Sequence, residues 1–98
     1  MSLKERVGSG VTYHKEEARG ARMKSGSYDD CVFDEGVYEG ADIQLCHFLD
    51  CTFTVCDLRV ENAYETSFMG CTFKNCDIRG LEAKGARFSD CTFTDCTS

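Results

Sequence analysis

The chain has no proline and no tryptophan, beside eight cysteines and nine glycines in 98 residues, which is not the balance of an ordinary mixed domain. It also lacks any apolar run near the roughly 20 residues that cross a bilayer as a helix, and Met1 to Gly10 has no signal-peptide core. A soluble, cytoplasmic chain is therefore expected, with no membrane contact, and its cysteines need an explanation other than secretion. A catalytic constellation is missing too: no nucleophile sits with a base and an orienting acid, and no glycine-rich phosphate loop occurs. Cysteines spaced with four residues between them do not make the close pair-plus-pair of a zinc site. The expectation is a non-enzyme without metal or cofactor. Apolar residues at 42% suffice for one small core.

Charge is scarce in one sign over most of the length. Six bases oppose three acids in residues 1–25, whereas fourteen acids oppose five bases in residues 26–98. An acidic body behind a basic start repels phosphate, which argues against direct binding of nucleic acid.

What is present is a repeat. From Cys31 the chain divides into fives: CVFDE, GVYEG, ADIQL, CHFLD, CTFTV, CDLRV and onward to CTFTD. Each centre is large (Phe33, Tyr38, Ile43, Phe48, Phe53, Leu58), and two places before it stands a small residue, mostly Cys or Ala. Five matches neither the strand nor the helix period. Residues two apart on an extended segment face the same way, so Cys51 and Phe53 point in together and Thr52 out, while Thr54 and Val55 turn the chain. Four such corners close a square, which requires a period of twenty. Residues 31, 51, 71 and 91 open CVF, CTF, CTF and CTF, so that period is there.

This pattern of small, polar, Phe or Leu, then two polar residues resembles the pentapeptide-repeat family. The match is clean over residues 31–98 and extends more weakly upstream through Tyr28, Met23, Ala18 and Tyr13. The resemblance implies an all-β fold, a right-handed quadrilateral parallel β-helix, here of about four and a half coils over residues 11–98. Residues 1–10, with Gly8-Ser9-Gly10, read as a flexible lead-in. Inside, Phe33, Phe53, Phe73 and Phe93 should stack, and the eight thiols should be free, small hydrophobes. Two units break the pattern. Glu61 occupies a small inward slot, so a bulge exposing it is expected, and Leu81 is expected to fill the space that Ala83 leaves.

The resemblance also implies a function. Relatives bind DNA gyrase as DNA mimics and protect it from quinolones, and acidic mimics act against DNA-binding defence nucleases. Candidate mimic acids are Asp30, Asp50 and Asp90 in one outward column, interrupted by Gly70, and Asp57, Asp77 and Glu39 on another wall. The expected partner is a DNA-binding enzyme or nuclease complex. Outward bases Arg59, Lys74, Arg79, Lys84 and Arg87 dilute this acidity. An alternative is a scaffolding module that binds through an apolar stripe, Leu49 on Met69, with Leu45, Val55, Val60 and Tyr64 at other outward positions. Finally, Thr92, Phe93, Thr94, Asp95 and Cys96 form an edge through which a homodimer could extend the rod end to end.

Overall fold

The computed structural model describes all 98 residues. Each five-residue unit lays down one short wall, and on two of the four walls the extended part is a three-residue strand. The strands are β1 (Val7–Ser9), β2 (Thr12–His14), β3 (Ser27–Asp29), β4 (Val32–Asp34), β5 (His47–Leu49), β6 (Thr52–Thr54), β7 (Ser67–Met69), β8 (Thr72–Lys74), β9 (Arg87–Ser89) and β10 (Thr92–Thr94). Odd-numbered strands stack into one five-stranded parallel sheet and even-numbered strands into another. The offset is twenty throughout, so Phe33 faces Phe53 and Phe48 faces Phe68. The remaining two walls are held by single parallel bridges, Ser2 to Arg22 to Asp42 to Asn62 and Glu17 through Val37, Asp57 and Asp77 to Thr97. The result is the right-handed four-sided β-helix that the repeat predicts, measuring 30 × 27 × 24 Å.

We number the walls by their inward residues: the first by Leu3, Met23, Ile43 and Ala63, the second by Tyr28, Phe48, Phe68 and Phe88, the third by Tyr13, Phe33, Phe53, Phe73 and Phe93, the fourth by Tyr38, Leu58 and Ile78. The third-wall rings stack at 5.0, 4.6, 4.9 and 4.9 Å between centroids. A second ladder, Tyr28 to Phe48 to Phe68 to Phe88, stacks at 5.0, 4.7 and 5.2 Å. The two meet edge to face, as Phe48 does Phe53 at 5.4 Å, the arrangement that ring quadrupoles favour. In-register stacking on a strand spacing of about 4.8 Å leaves little other choice.

All eight cysteines are free. Seven of them donate a hydrogen bond to the carbonyl of a large inward residue one coil earlier: Cys46 to Met23 at 2.7 Å, Cys56 to Phe33 at 3.2 Å, and likewise Cys51, Cys71, Cys76, Cys91 and Cys96. Thr66, the one buried polar side chain, makes the same bond to the Ile43 carbonyl. Cys is thus small enough for the slot and still gives that backbone acceptor a donor. Burial pushes the Cys46 thiol up to about 11, and the neighbouring Cys71 thiol together with burial pushes Cys51 up as well. Cys46 and Cys51 are therefore poor nucleophiles.

Residues 1–10 are not a flexible lead-in. Val7–Ser9 pairs in register with Ser27–Asp29, Ser2 bridges Arg22, and the Leu3 amide donates to the Arg22 carbonyl at 2.6 Å, so each strand wall has five rungs rather than four and a half coils starting at residue 11. The reason is chemical. Arg6 and Glu16 fall in the inward small slot of the first coil, where they form an ion pair with each other. Arg6 Nε donates to the Tyr28 hydroxyl at 2.9 Å, and the Tyr38 hydroxyl donates to Glu16 at 2.7 Å. The guanidinium also lies 4.1 Å over the Tyr13 ring. One rung below the pair stand Gly26 and Gly36. A Cβ at Gly36 would come within 2.4 Å of the Tyr38 ring, so the missing side chain makes room for the tyrosine that reaches up to the pair. Burial opposes the charge on Glu16, but the Arg6 and Tyr38 hydrogen bonds outweigh it and hold the carboxyl below the usual range.

The two irregular units also resolve. Val60, expected outside, is buried at 6% exposure, and Glu61 stands exposed. The Val60 amide turns back to the Leu58 carbonyl at 2.8 Å, which brings Val60 into the place Glu61 would otherwise occupy. Leu81 is buried at 1% while Ala83 is exposed, as their sizes required.

Candidate protein-binding surface

Each unit ends in a corner, and at every fifth position from Glu5 to Asp95 except Val60 the corner residue has a positive φ. That is the left-handed region, which Asp, Asn and Gly enter most readily. The corner between the second and third walls carries Gly10, Asp30, Asp50, Gly70 and Asp90, with φ of 64°, 56°, 53°, 65° and 54°. The interrupted acid column is therefore a turn column too, and Gly70 belongs to it for the same reason as its neighbours. The chain is a β-solenoid of pentapeptide repeats.

No protein-family model matches the sequence, and no curated protein matches it. Among solved structures it is similar to QnrB1, a plasmid-mediated fluoroquinolone resistance protein, at 17% identity and a TM-score of 0.44. The alignment covers 92% of this chain and 51% of that one, so the chain spans about half the length of QnrB1.

The acid columns differ in their surroundings. On the fourth wall, Asp57 stacks on Asp77 as expected, but arginines answer both. Arg59 lies 2.6 Å from Asp57, 3.5 Å from Asp77 and 3.6 Å from Glu39. Arg79 lies 2.7 Å from Asp77, and Arg19 lies 3.2 Å from Glu39. The arginine hydrogen bonds hold the Asp57 and Asp77 carboxyls below the usual range. This wall is an alternating ladder of ion pairs, with little net field to offer. Spacing alone did not reveal it, although Asp-x-Arg at residues 57–59 and 77–79 is a readable signal.

Asp30, Asp50 and Asp90 form no ion pair with any base. Asp29, exposed on β3, adds a fourth carboxylate that the column reading missed. Immediately beside them lie Leu49 and Met69, paired in register and 44% and 50% exposed. Acids and apolar side chains thus share one edge of the solenoid, which sequence spacing had treated as two surfaces. Val55 and Tyr64 are exposed elsewhere, at separate corners and walls.

The edge residues of the final rung are ordered parts of the ladder. Thr92, Phe93 and Thr94 form β10 against β8, with Phe93 41% exposed, while Asp95 takes the corner and Cys96 is half-buried. One group of metal-type ligands comes together: His14, in register with Asp34, joins Asp34 and Glu35, their ligand atoms within 4.8 Å. His14 Nδ1 lies 2.8 Å from Asp34, and Thr54 donates to the same carboxylate at 2.8 Å. The group is on the open surface of the third wall, where its carboxylate already has two partners.

Proposed function

We propose that this solenoid is a non-catalytic protein-binding module whose working surface is the edge of Asp29, Asp30, Asp50 and Asp90 with Leu49 and Met69. On this reading the carboxylates take the place of backbone phosphates at the basic site of a DNA-handling enzyme, a topoisomerase such as gyrase or a defence nuclease. The supporting observation is that these acids are unpaired while those of the fourth wall are matched by arginines. Their density agrees. Asp30 to Asp90 spans three rungs, about 14 Å at the strand spacing. One DNA strand places about four phosphates in that length, and the edge places four carboxylates. The imitation is of one strand, since a duplex would carry twice the charge.

A second reading has a specific observation behind it. Leu49 and Met69 stack side by side in the open, which suits a scaffold that binds through apolar contact. Two variants separate the readings, with DNA gyrase and a DNA-cleaving defence complex as probes. Under mimicry, D30N/D50N/D90N abolishes binding at moderate salt, and wild-type binding weakens as salt rises. Under scaffolding, L49S/M69S abolishes binding and the aspartate variant retains it.

A further inference from the structure

Residues 1–25 hold six bases against three acids, and the acid edge makes no use of that excess. Two of the bases are answered: Arg6 pairs with Glu16, and Arg19 with Glu17 and Glu39. Lys15 stands at the corner that follows β2 on the third wall. The other three, Lys4, Arg22 and Lys24, gather on the outside of the first wall. Ser2 bridges Arg22 at the usual offset of twenty, so Lys4 lies one rung from Lys24, about 4.8 Å along the solenoid. With Asp42 and Gln44 these bases line a hollow of about 270 Å³ that no apolar side chain enters. Neither Arg22 nor Lys24 has an ion-pair partner, and Lys4 reaches only Glu5, at 3.9 Å. Asp42 bridges Arg22 in register, yet it is held by Gln44 instead. The Gln44 backbone N–H donates to Oδ1 at 3.1 Å and its side-chain amide to Oδ2 at 2.9 Å. The fourth wall repeats this turn at Asp57 and Asp77 with arginine in the place of glutamine, and there the charges cancel. A neutral amide on Asp42 leaves the Arg22 guanidinium free.

We propose that Lys4, Arg22 and Lys24 form a binding site for a phosphate group, free or carried on a small hydroxyl-bearing molecule. Arg22 and Asp42 stand on one side of the hollow and Lys4, Lys24 and Gln44 on the other, in outward columns two residues apart, about 6.6 Å along an extended chain. A single tetrahedral oxyanion between them meets donors from both sides. The guanidinium offers paired N–H groups and the two lysines compact charges. The hollow is smaller than the roughly 300–1,000 Å³ of a drug-sized ligand's pocket, and it gives a nucleobase or an acyl chain no apolar surface to bury. Asp42 sets the selectivity. Each of its oxygens keeps acceptor capacity beyond the bond from Gln44. Inorganic phosphate and a sugar phosphate carry an O–H that can donate to it, whereas sulfate brings only like charge. A nucleic-acid backbone fits poorly, because the next three rungs of this wall carry Asp42, Glu61, Glu65 and Glu82 against the single base Lys84. The site lies away from the acid edge, so it does not depend on the proposed binding function.

The test is titration of the full chain with inorganic phosphate, glucose 6-phosphate, sulfate and an unphosphorylated thymidine dinucleotide, followed by amide NMR shifts. Ionic strength is held constant with chloride at about 150 mM, so that screening does not pass for binding. Phosphate should shift amides on the first three rungs of the first wall and few others, with a dissociation constant on the order of 1 mM. Whichever of phosphate and glucose 6-phosphate binds more tightly tells a free ion from a carried one. Sulfate should bind at least about fivefold more weakly, and the dinucleotide, which has only a diester, more weakly still. R22Q/K24Q should lose at least about tenfold in phosphate affinity, K4Q should lose less, and D42N should bind sulfate as tightly as phosphate. These side chains point out of the wall, and thermal melts check that each variant is folded. D30N/D50N/D90N should bind phosphate as the wild type does, which separates this site from the acid edge. Shifts scattered over the whole surface overturn the proposal, as does a folded R22Q/K24Q that binds phosphate like the wild type. So does sulfate or the dinucleotide binding the wild type as tightly as phosphate.

Discussion

Replacing Phe53 by Ala should remove the largest single contribution to this core. The ring is 1% exposed, stacked at 4.6 Å on Phe33 and 4.9 Å on Phe73, and met edge-on by Phe48 and Phe68 at 5.4 and 5.7 Å. Truncation of a buried phenylalanine costs about 3–5 kcal/mol, the cavity included, and lost ring pairs place this site at the upper end. A domain of this size has about 5–15 kcal/mol in all, so the variant should lose a third or more of its stability. Phe93→Ala provides the contrast. That ring is 41% exposed and stacks on Phe73 alone within its ladder, so about 1 kcal/mol is expected from roughly half the buried area. Urea unfolding followed by circular dichroism gives both values, and the midpoints should separate clearly with Phe53→Ala the lower. Equal losses at the two sites would refute the ladder as a continuous core element, because they would mean that position along the stack does not matter.

Other outcomes follow from the same geometry. Glu16→Gln should destabilise at neutral pH and progressively less as pH falls below about 4; the folded carboxyl is held low by Arg6 and Tyr38, so its contribution is present above the unfolded value and lost on protonation. Comparing urea midpoints of wild type and variant from pH 7 to pH 2 checks this, and a pH-independent difference would contradict it. Val60→Asp should destabilise by at least about 2 kcal/mol while Glu61→Ala changes little, since the first puts a charge in the core and the second trims an exposed side chain. Thermal melts of the two proteins decide it. Alkylation of the native protein should label Cys91 and Cys96 first and leave Cys31, Cys46, Cys51, Cys56, Cys71 and Cys76 unmodified until denaturant is added, as peptide mass mapping would record.

Much of this molecule was legible from the repeat. The inward positions of Phe33, Phe53, Phe73 and Phe93, the exposure of Glu61 and the burial of Leu81 follow from residue size and a period of five. The first coil was not legible, because its inward slots hold Arg6 and Glu16 and a period sought in small or apolar residues passes over them. Only the pairing of the two charges with each other, above Gly26 and Gly36, makes the slots tolerable. Val60 was misplaced for a related reason, since strict fives put it at a corner and the backbone instead gives up one corner to avoid burying an acid. The binding surface was half legible. Columns can be counted from the sequence, but which acids are neutralised depends on where arginine side chains reach, and Arg59 spans three rungs to do so.

The most direct test of the proposed role is competition. Gyrase or a defence nuclease complex is saturated with a labelled short DNA duplex, and the solenoid is titrated in, as wild type and as D30N/D50N/D90N. Asparagine keeps the left-handed corner that aspartate occupies at φ of 53–56°, so the variant differs in charge and little else. The account predicts that the wild type displaces the duplex, that raising salt weakens the displacement, and that the variant fails to displace it. A ternary complex of enzyme, duplex and solenoid, or displacement that survives the loss of all three carboxylates, would contradict it.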